Sequence, residues 1–112
     1  MKIAIPLTAG CLSTHFGHCE EFVIVEVDEQ SKAIVKQSVH QPPAHEPGVF
    51  PSWLRSLGTD MIIAGGMGQR AQQLFTQDNI AVLVGAPSSP PEQLVSDYLG
   101  GRLQSGRNAC DH

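Results

Sequence analysis

The sequence lacks several features that would settle its function at once. Cysteine is scarce, with Cys11, Cys19 and Cys110 the whole set. An odd set is a poor disulfide framework, and in a reducing compartment all three should be thiols. Three cysteines also exclude a cluster held by four cysteinates of one chain. No apolar run approaches the length of a membrane span. Net charge is −4 and the pI about 5.6, so no basic surface invites nucleic acid. The glycine-rich stretch 65–68 lacks the Lys-Ser/Thr of a P-loop and the full dinucleotide fingerprint. The first apolar run, KIAIP, carries no carboxylate. Glu20, Glu21 and Glu26 lie near the second run, and no acidic cluster spreads across the predicted sheet centre. That argues against a two-metal nuclease. No internal repeat and no second domain are visible.

What is present is a globular composition, 41% hydrophobic and 16% charged. The length suits one domain, expected over residues 1–103, with a polar, flexible tail at 104–112. The opening MKIAIPLTAG reads as a strand rather than a signal peptide, and a cytoplasmic chain is expected. KIAI, ended by Pro6, is the first predicted strand; FVIVEV and AIVKQSV follow as an antiparallel pair across DEQSK. Phe50, Trp53, Leu54 and Leu57 fall on one helical face, with Pro51 in the first turn and Gly58 as the stop. DMIIAGG and IAVLVG are apolar throughout, as strands covered on both faces are. Between them GQRAQQLFTQ forms a second helix, with Ala71, Leu74 and Phe75 inward. SPPE at 89–92 has a capping-box pattern before Leu94, Val95, Tyr98 and Leu99, and glycines 100 and 101 end that helix. The order β-β-β-α-β-α-β-α predicts an α/β fold with a mixed five-stranded sheet flanked by helices.

Two stretches carry candidate chemistry. STHFGHC places His15, His18 and Cys19 close enough for a curled loop to aim them at one point. Imidazole and thiolate ligate iron, copper and zinc, and Gly17 lets the backbone approach a large inorganic body. The competing reading is a solvated turn that Phe16 anchors in the core; spacing does not separate the two. In GGMGQRA, residues 65–71, glycines between a strand and a helix leave the backbone N–H groups of Gly65, Gly66, Met67 and Gly68 near a helix N-terminus. Such a place favours an anion, with Arg70 as a cation at the rim. The bland reading is a tight strand-to-helix turn. In either case Gly65, Gly66 and Gly68 are expected to matter for backbone geometry. HQPPAHEPG is a stiff, proline-rich connection on which His40 reads as an exposed histidine, and His45 equally as an exposed histidine or as an extra ligand or lid. Cys110 and His112 form a Cys-x-His pair on the tail, where a bland tail is the simpler account. Trp53 reads as a core residue of its helix.

Taken in order, THFGHCEEFVIVEV, DMIIAGGMGQRAQQLF, NIAVLVG and YLGGRL resemble the dinitrogenase iron-molybdenum cofactor family. That family includes NifX, the C-terminal part of NifB, NafY and the orange-protein type of molybdenum–copper carrier. The resemblance runs from Met1 to about Leu103. It implies a ribonuclease H-like fold whose second strand is antiparallel to the rest. It also implies a protein that binds, carries or inserts a metal–sulfur cluster, Fe–Mo–S or Mo–Cu–S, together with other cofactor-assembly or acceptor proteins. His15 and Gly17 match the family's HFG motif, and Cys19 matches the cysteine of HFGxC in the NifX-like branch. His18 stands where that branch often has a small residue, so it either adds a ligand or marks a different cargo. Orange-protein-like members need no cysteine, which leaves the role of Cys19 open.

The leading expectation is therefore a carrier for an anionic cluster, not an enzyme. The alternatives are a regulatory or scaffold module of an assembly complex and, behind it, a ribonuclease H-like metal-dependent hydrolase. No nucleic-acid or membrane partner is expected.

Overall fold

The computed structural model describes residues 1–14, 16, 19–43 and 49–103. In chain order the elements are β1 (Lys2–Thr8), β2 (Cys11–Leu12), β3 (Glu21–Asp28), β4 (Ala33–His40), α1 (Val49–Ser56), β5 (Met61–Ile63), α2 (Gln69–Gln77), β6 (Ala81–Leu83) and α3 (Pro91–Leu99). The sheet runs β4-β3-β1-β5-β6, with β2 paired to the end of β1. β3 is antiparallel to both β1 and β4, while β1, β5 and β6 run parallel. This is the expected mixed sheet and element order, with one more strand than the five expected. The addition is β2, two residues that pair Leu7 with Leu12 and Thr8 with Cys11. So short a run inside a Gly/Ser/Thr-rich loop has no periodicity to reveal it.

The period of two along each strand divides the core. Ile3, Ile5 and Leu7 of β1, Val23, Val25 and Val27 of β3, and Met61 and Ile63 of β5 form one layer with Leu94 and Val95 of α3. Ala4, Phe22, Ile24 and Ile62 form the opposite layer with Phe50 and Leu54 of α1 and Phe75 of α2. Both faces of β1, β3 and β5 are thus buried, which is why their sequences are nearly continuous in apolar residues. The helix ends follow their signals. Gly58, at φ +82°, stops α1 while Thr59 N–H reaches back to the Leu54 carbonyl. Among the described residues no helix is long and apolar enough to cross a membrane.

Three local expectations need correction. Pro6 does not end β1; the strand continues to Thr8. Its carbonyl accepts Ser13 N–H at 2.9 Å on the β2 side. In a strand the N and O of one residue point the same way, so the N–H that proline lacks would also have faced that side. The ladder to β3 therefore loses nothing at Pro6. Ser89 does not cap α3: the N-cap is Pro90, with no side-chain cap bond, and Pro91 opens the helix. The Ser89 carbonyl instead accepts Leu12 N–H at 3.0 Å. His40 is not an exposed loop residue but the half-buried end of β4. Its Nε2 lies 3.0 Å from Ser38 Oγ, and its ring packs edge-on to Trp53, which is partly buried against the core as expected.

The β1–β2 turn has Ala9 at φ +54° and Gly10 at φ +82°. A two-residue type I′ turn requires positive φ at both positions, and alanine is an unfavourable occupant of the first. Ala9→Asn is expected to stabilise the protein by about 0.5–1 kcal/mol. A shift of the urea midpoint to higher concentration at unchanged m-value would show it; an unchanged or lower midpoint would refute it.

Candidate functional site

Because β1, β5 and β6 are parallel, their carboxyl ends and the loops that follow rise at one end of the sheet. Ligands bind at such an end in open α/β sheets. Ser13, Thr14 and Phe16, in the loop after β2, are held against the glycine turn that follows β5. Phe16 N–H donates to the Gly66 carbonyl at 2.9 Å, and Ser13 N–H ties the same loop back to Pro6. Gly65 is buried beneath this contact: a Cβ placed on it would stand 3.0 Å from the Ser13 carbonyl oxygen and 3.3 Å from Thr14 Cα. The two motif-bearing loops thus meet in their described residues.

Phe16 is the hook. Only 5% exposed, it stacks edge-to-face on Phe22, Phe50 and Phe75 at centroid distances of 6.0, 5.4 and 5.3 Å. Those four are all the phenylalanines of the chain. Each such pair contributes roughly 0.5–1.5 kcal/mol beyond area burial, so the loop is pinned to the most aromatic part of the core.

The glycine turn leads into α2. Gly68 is the N-cap, with no side-chain cap bond, and no acidic residue occupies the first turn. The first-turn N–H groups have no intrahelical acceptor, and the helix end is positive. Arg70 is exposed in that turn. The Gln72 side chain steadies the turn by donating to the Met67 carbonyl at 2.9 Å. The Met67 side chain is fully buried in the α1/α2 core layer, so Met67 offers the site backbone only. One expectation changes here: Gly68 has φ −64° and open space where a Cβ would go, so its backbone does not need glycine.

Cys19 is half-buried against the same core layer. Burial pushes its thiol up from 9.0 to about 11, with a hydrogen bond at its own backbone pulling the other way. It is therefore a neutral thiol at physiological pH. Glu20 next to it is fixed at both ends: its N–H donates to the Leu7 carbonyl at 2.8 Å, and its carboxylate accepts Ala9 N–H at 3.0 Å. Cys11 is also free. Leu7 pairs with Leu12 on one side and Glu21 on the other, so the Cys11 and Cys19 segments flank β1 on opposite sides. Two strand spacings, roughly 10 Å, exceed disulfide reach.

His15, Gly17, His18, His45, Cys110 and His112, and with them the tail 104–112, lie outside the described residues. Among the described residues no three His, Cys, Asp or Glu side chains group to hold a metal ion.

A third loop, Val84–Pro90, completes this end and was not singled out from sequence. Gly85 N–H donates to the Gly65 carbonyl at 2.8 Å, and Ser88 Oγ donates to the Leu12 carbonyl at 2.8 Å. It thereby touches both other loops. The readable signal was GAPSSPP at the carboxyl end of a strand parallel to that before the glycine turn.

A family model described as dinitrogenase iron-molybdenum cofactor matches residues 1–101. The chain belongs to this family. It is 30% identical over 107 residues to protein MJ0580 of Methanocaldococcus jannaschii, covering 93% of this chain and 90% of that protein. The crystal structure of PH0822 superposes with a TM-score of 0.85 at 26% identity, covering 94% of both chains. The apo form of the orange protein from Desulfovibrio gigas superposes with a TM-score of 0.71 at 21% identity, covering 96% of this chain and 93% of that one. At that identity the likeness is one of fold alone. The membership bears out the resemblance carried by the two motifs, and it ties the chain to iron-molybdenum cofactor biosynthesis or binding.

Two measurements probe this geometry. Gly65→Ala is expected to destabilise the protein by about 1–3 kcal/mol through overpacking on the Ser13–Thr14 backbone, whereas Gly68→Ala stays within about 0.5 kcal/mol. Equal urea midpoints for the two variants would contradict the assignment. Alkylation of Cys19, followed by peptide mass spectrometry, should rise with pH toward a half-maximum near 11. The same shift makes folding stability fall as pH rises from about 9 to about 11, since the unfolded chain loses that proton first. A half-maximum near 9 would show that burial does not protect the thiol.

Proposed function

We propose that this chain binds an anionic metal–sulfur cluster and carries it during metallocofactor assembly, releasing it to another assembly or acceptor protein. The observation that carries this reading is the Phe16 N–H bond to the Gly66 carbonyl. It fastens the histidine-bearing motif to the turn that opens α2. Thr14 and Phe16, the sequence neighbours of His15, both stand at that turn. In this reading His15 ligates the cluster through a neutral imidazole. First-turn N–H groups of α2 hydrogen-bond its sulfides, as they would a phosphate, and Arg70 adds positive charge at the rim. His18, Cys19 and His45 are the remaining candidates for the ligand set, with Cys19 contributing only on loss of its proton. A site with few protein ligands suits a cargo that must leave. Fe–Mo–S and Mo–Cu–S clusters both meet these requirements, being anionic, sulfide-rich and open to imidazole.

The reading is of a carrier, not an enzyme: β1, at the sheet centre, has no carboxylate to hold catalytic Mg²⁺. We also read the topology as ribonuclease H-like, because β3 runs against the other strands of the main path. The expected compartment is the cytoplasm, where thiols such as Cys11 and Cys19 stay reduced.

The test is anaerobic purification of wild type and His15→Ala, each incubated with tetrathiomolybdate plus Cu(I) or with extracted iron–molybdenum cofactor. After desalting, metal, sulfide and the visible spectrum are measured. Wild type should retain one load. His15→Ala should lose retention by more than the roughly 10–100-fold that removal of an outer-shell partner costs. Equal retention by both proteins would remove His15 from the ligand set. If wild type retains neither cluster, the carrier reading fails and the protein-interaction module takes its place.

A further inference from the structure

The two edges of the sheet are unequal. β6 is short, whereas β4 extends over Ala33–His40 and pairs on one side with β3. Its outer side presents backbone N–H and C=O groups as a template for another strand. Val35 and Val39, the exposed large hydrophobics among the described residues, are both on this strand, at 65% and 59% exposure. The register explains their position. Gln37 and Val39 stand opposite Val25 and Val23, whose side chains face α3. A bulge between Glu26 and Val27 places Ile34 opposite Val27, packed on that core layer, and leaves Val35 as the extra residue. By the period of two, Gln37 and Val39 share the α3 face, and the exposed Val35 stands two residues before Gln37 on the same edge strand.

We infer that β4 pairs antiparallel with β4 of a second copy of this chain, about a two-fold axis through Gln37. In that register Val35 of each copy lies opposite Val39 of the other, and Lys36 lies opposite Ser38. The strand is complementary to itself, and that favours a second copy over an unrelated strand. Its exposed valines sit symmetrically about Gln37. Its one cation meets a hydroxyl rather than a like charge, and already faces Glu26 within its own sheet. Lys32, at φ +56°, bounds the pairable stretch at one end and Pro42–Pro43 at the other, leaving Gln37 next to its midpoint. Cross-strand apolar pairs and the new backbone ladder supply the stabilisation. A single ladder buries less than the roughly 1,200–2,000 Å² of a standard stable interface, so the dimer is weak and concentration-dependent. The inference does not rest on the cluster reading.

Sedimentation equilibrium of the full chain under reducing conditions should give a monomer–dimer equilibrium with Kd on the order of 10–100 µM. Val35→Lys/Val39→Lys should be monomeric throughout, with an unchanged circular dichroism spectrum and urea midpoint. The register is read by cross-linking. Gln37→Cys, on the axis, should form a disulfide-linked dimer well above the wild-type level under mild oxidant, and Val35→Cys alone should not. A mixture of Val35→Cys and Val39→Cys should cross-link as a heterodimer. A wild type that stays monomeric to about 1 mM, tenfold above the upper Kd, overturns the inference. So does a dimer that survives the double lysine substitution. Cross-linking of Val35→Cys to itself in preference to Gln37→Cys overturns the register.

Discussion

The missing side chain at Gly65 is the constraint on which this end of the molecule depends. The glycine turn and the loop after β2 share one place, and their backbones approach more closely than a Cβ between them ordinarily allows. The carbonyl of Gly65 accepts from Gly85, and that of the next residue accepts from Phe16. The pair of glycines therefore joins the loop after β2 to the loop after β6. Without that close approach the two motifs would still exist in the sequence, but nothing would bring them together.

Beneath the contact lies a rigid floor. Phe16, Phe22, Phe50 and Phe75 interlock edge-to-face, and Trp53 extends the group to His40 at the end of β4. The proposed carrier role would draw on such a combination: a fixed platform that sets the approach geometry, and few ligands, so that a cargo could leave. In that reading the helix dipole and first-turn N–H groups of α2 would attract the anion without a covalent bond. The raised pKa of Cys19 adds to this economy, because an unloaded thiol that holds its proton is a poor adventitious metal trap and a poor nucleophile.

The opposing sequence readings of STHFGHC, ligand loop or anchored turn, are compatible. Phe16 is an anchor, and it is the sequence neighbour of His15. Much else was legible as well. The alternation in β1 and β3, the helical faces of α1 and α3, and Gly58 as a stop are local patterns, each enforced by a period or a φ preference within a few residues. The misses have two causes. β2 and the passage of β1 through Pro6 belong to a hairpin too short to show a period, whereas the lost Ser89 cap and the half-burial of His40 depend on partners elsewhere in the chain, Leu12 and Trp53.

The sequence by itself determined most of the elements, their order, the parallel relation of β5 and β6, and the family, because periodicity and motif are properties of short stretches. Only the tertiary structure decided that Gly65 is tightly packed while Gly68 has open space, that Met67 is core, that Cys19 keeps its proton, and that the loop after β6 meets the glycine turn. Those outcomes follow from distances between segments far apart along the chain. Such distances are set by how the two faces of one sheet are filled, and no single stretch encodes them.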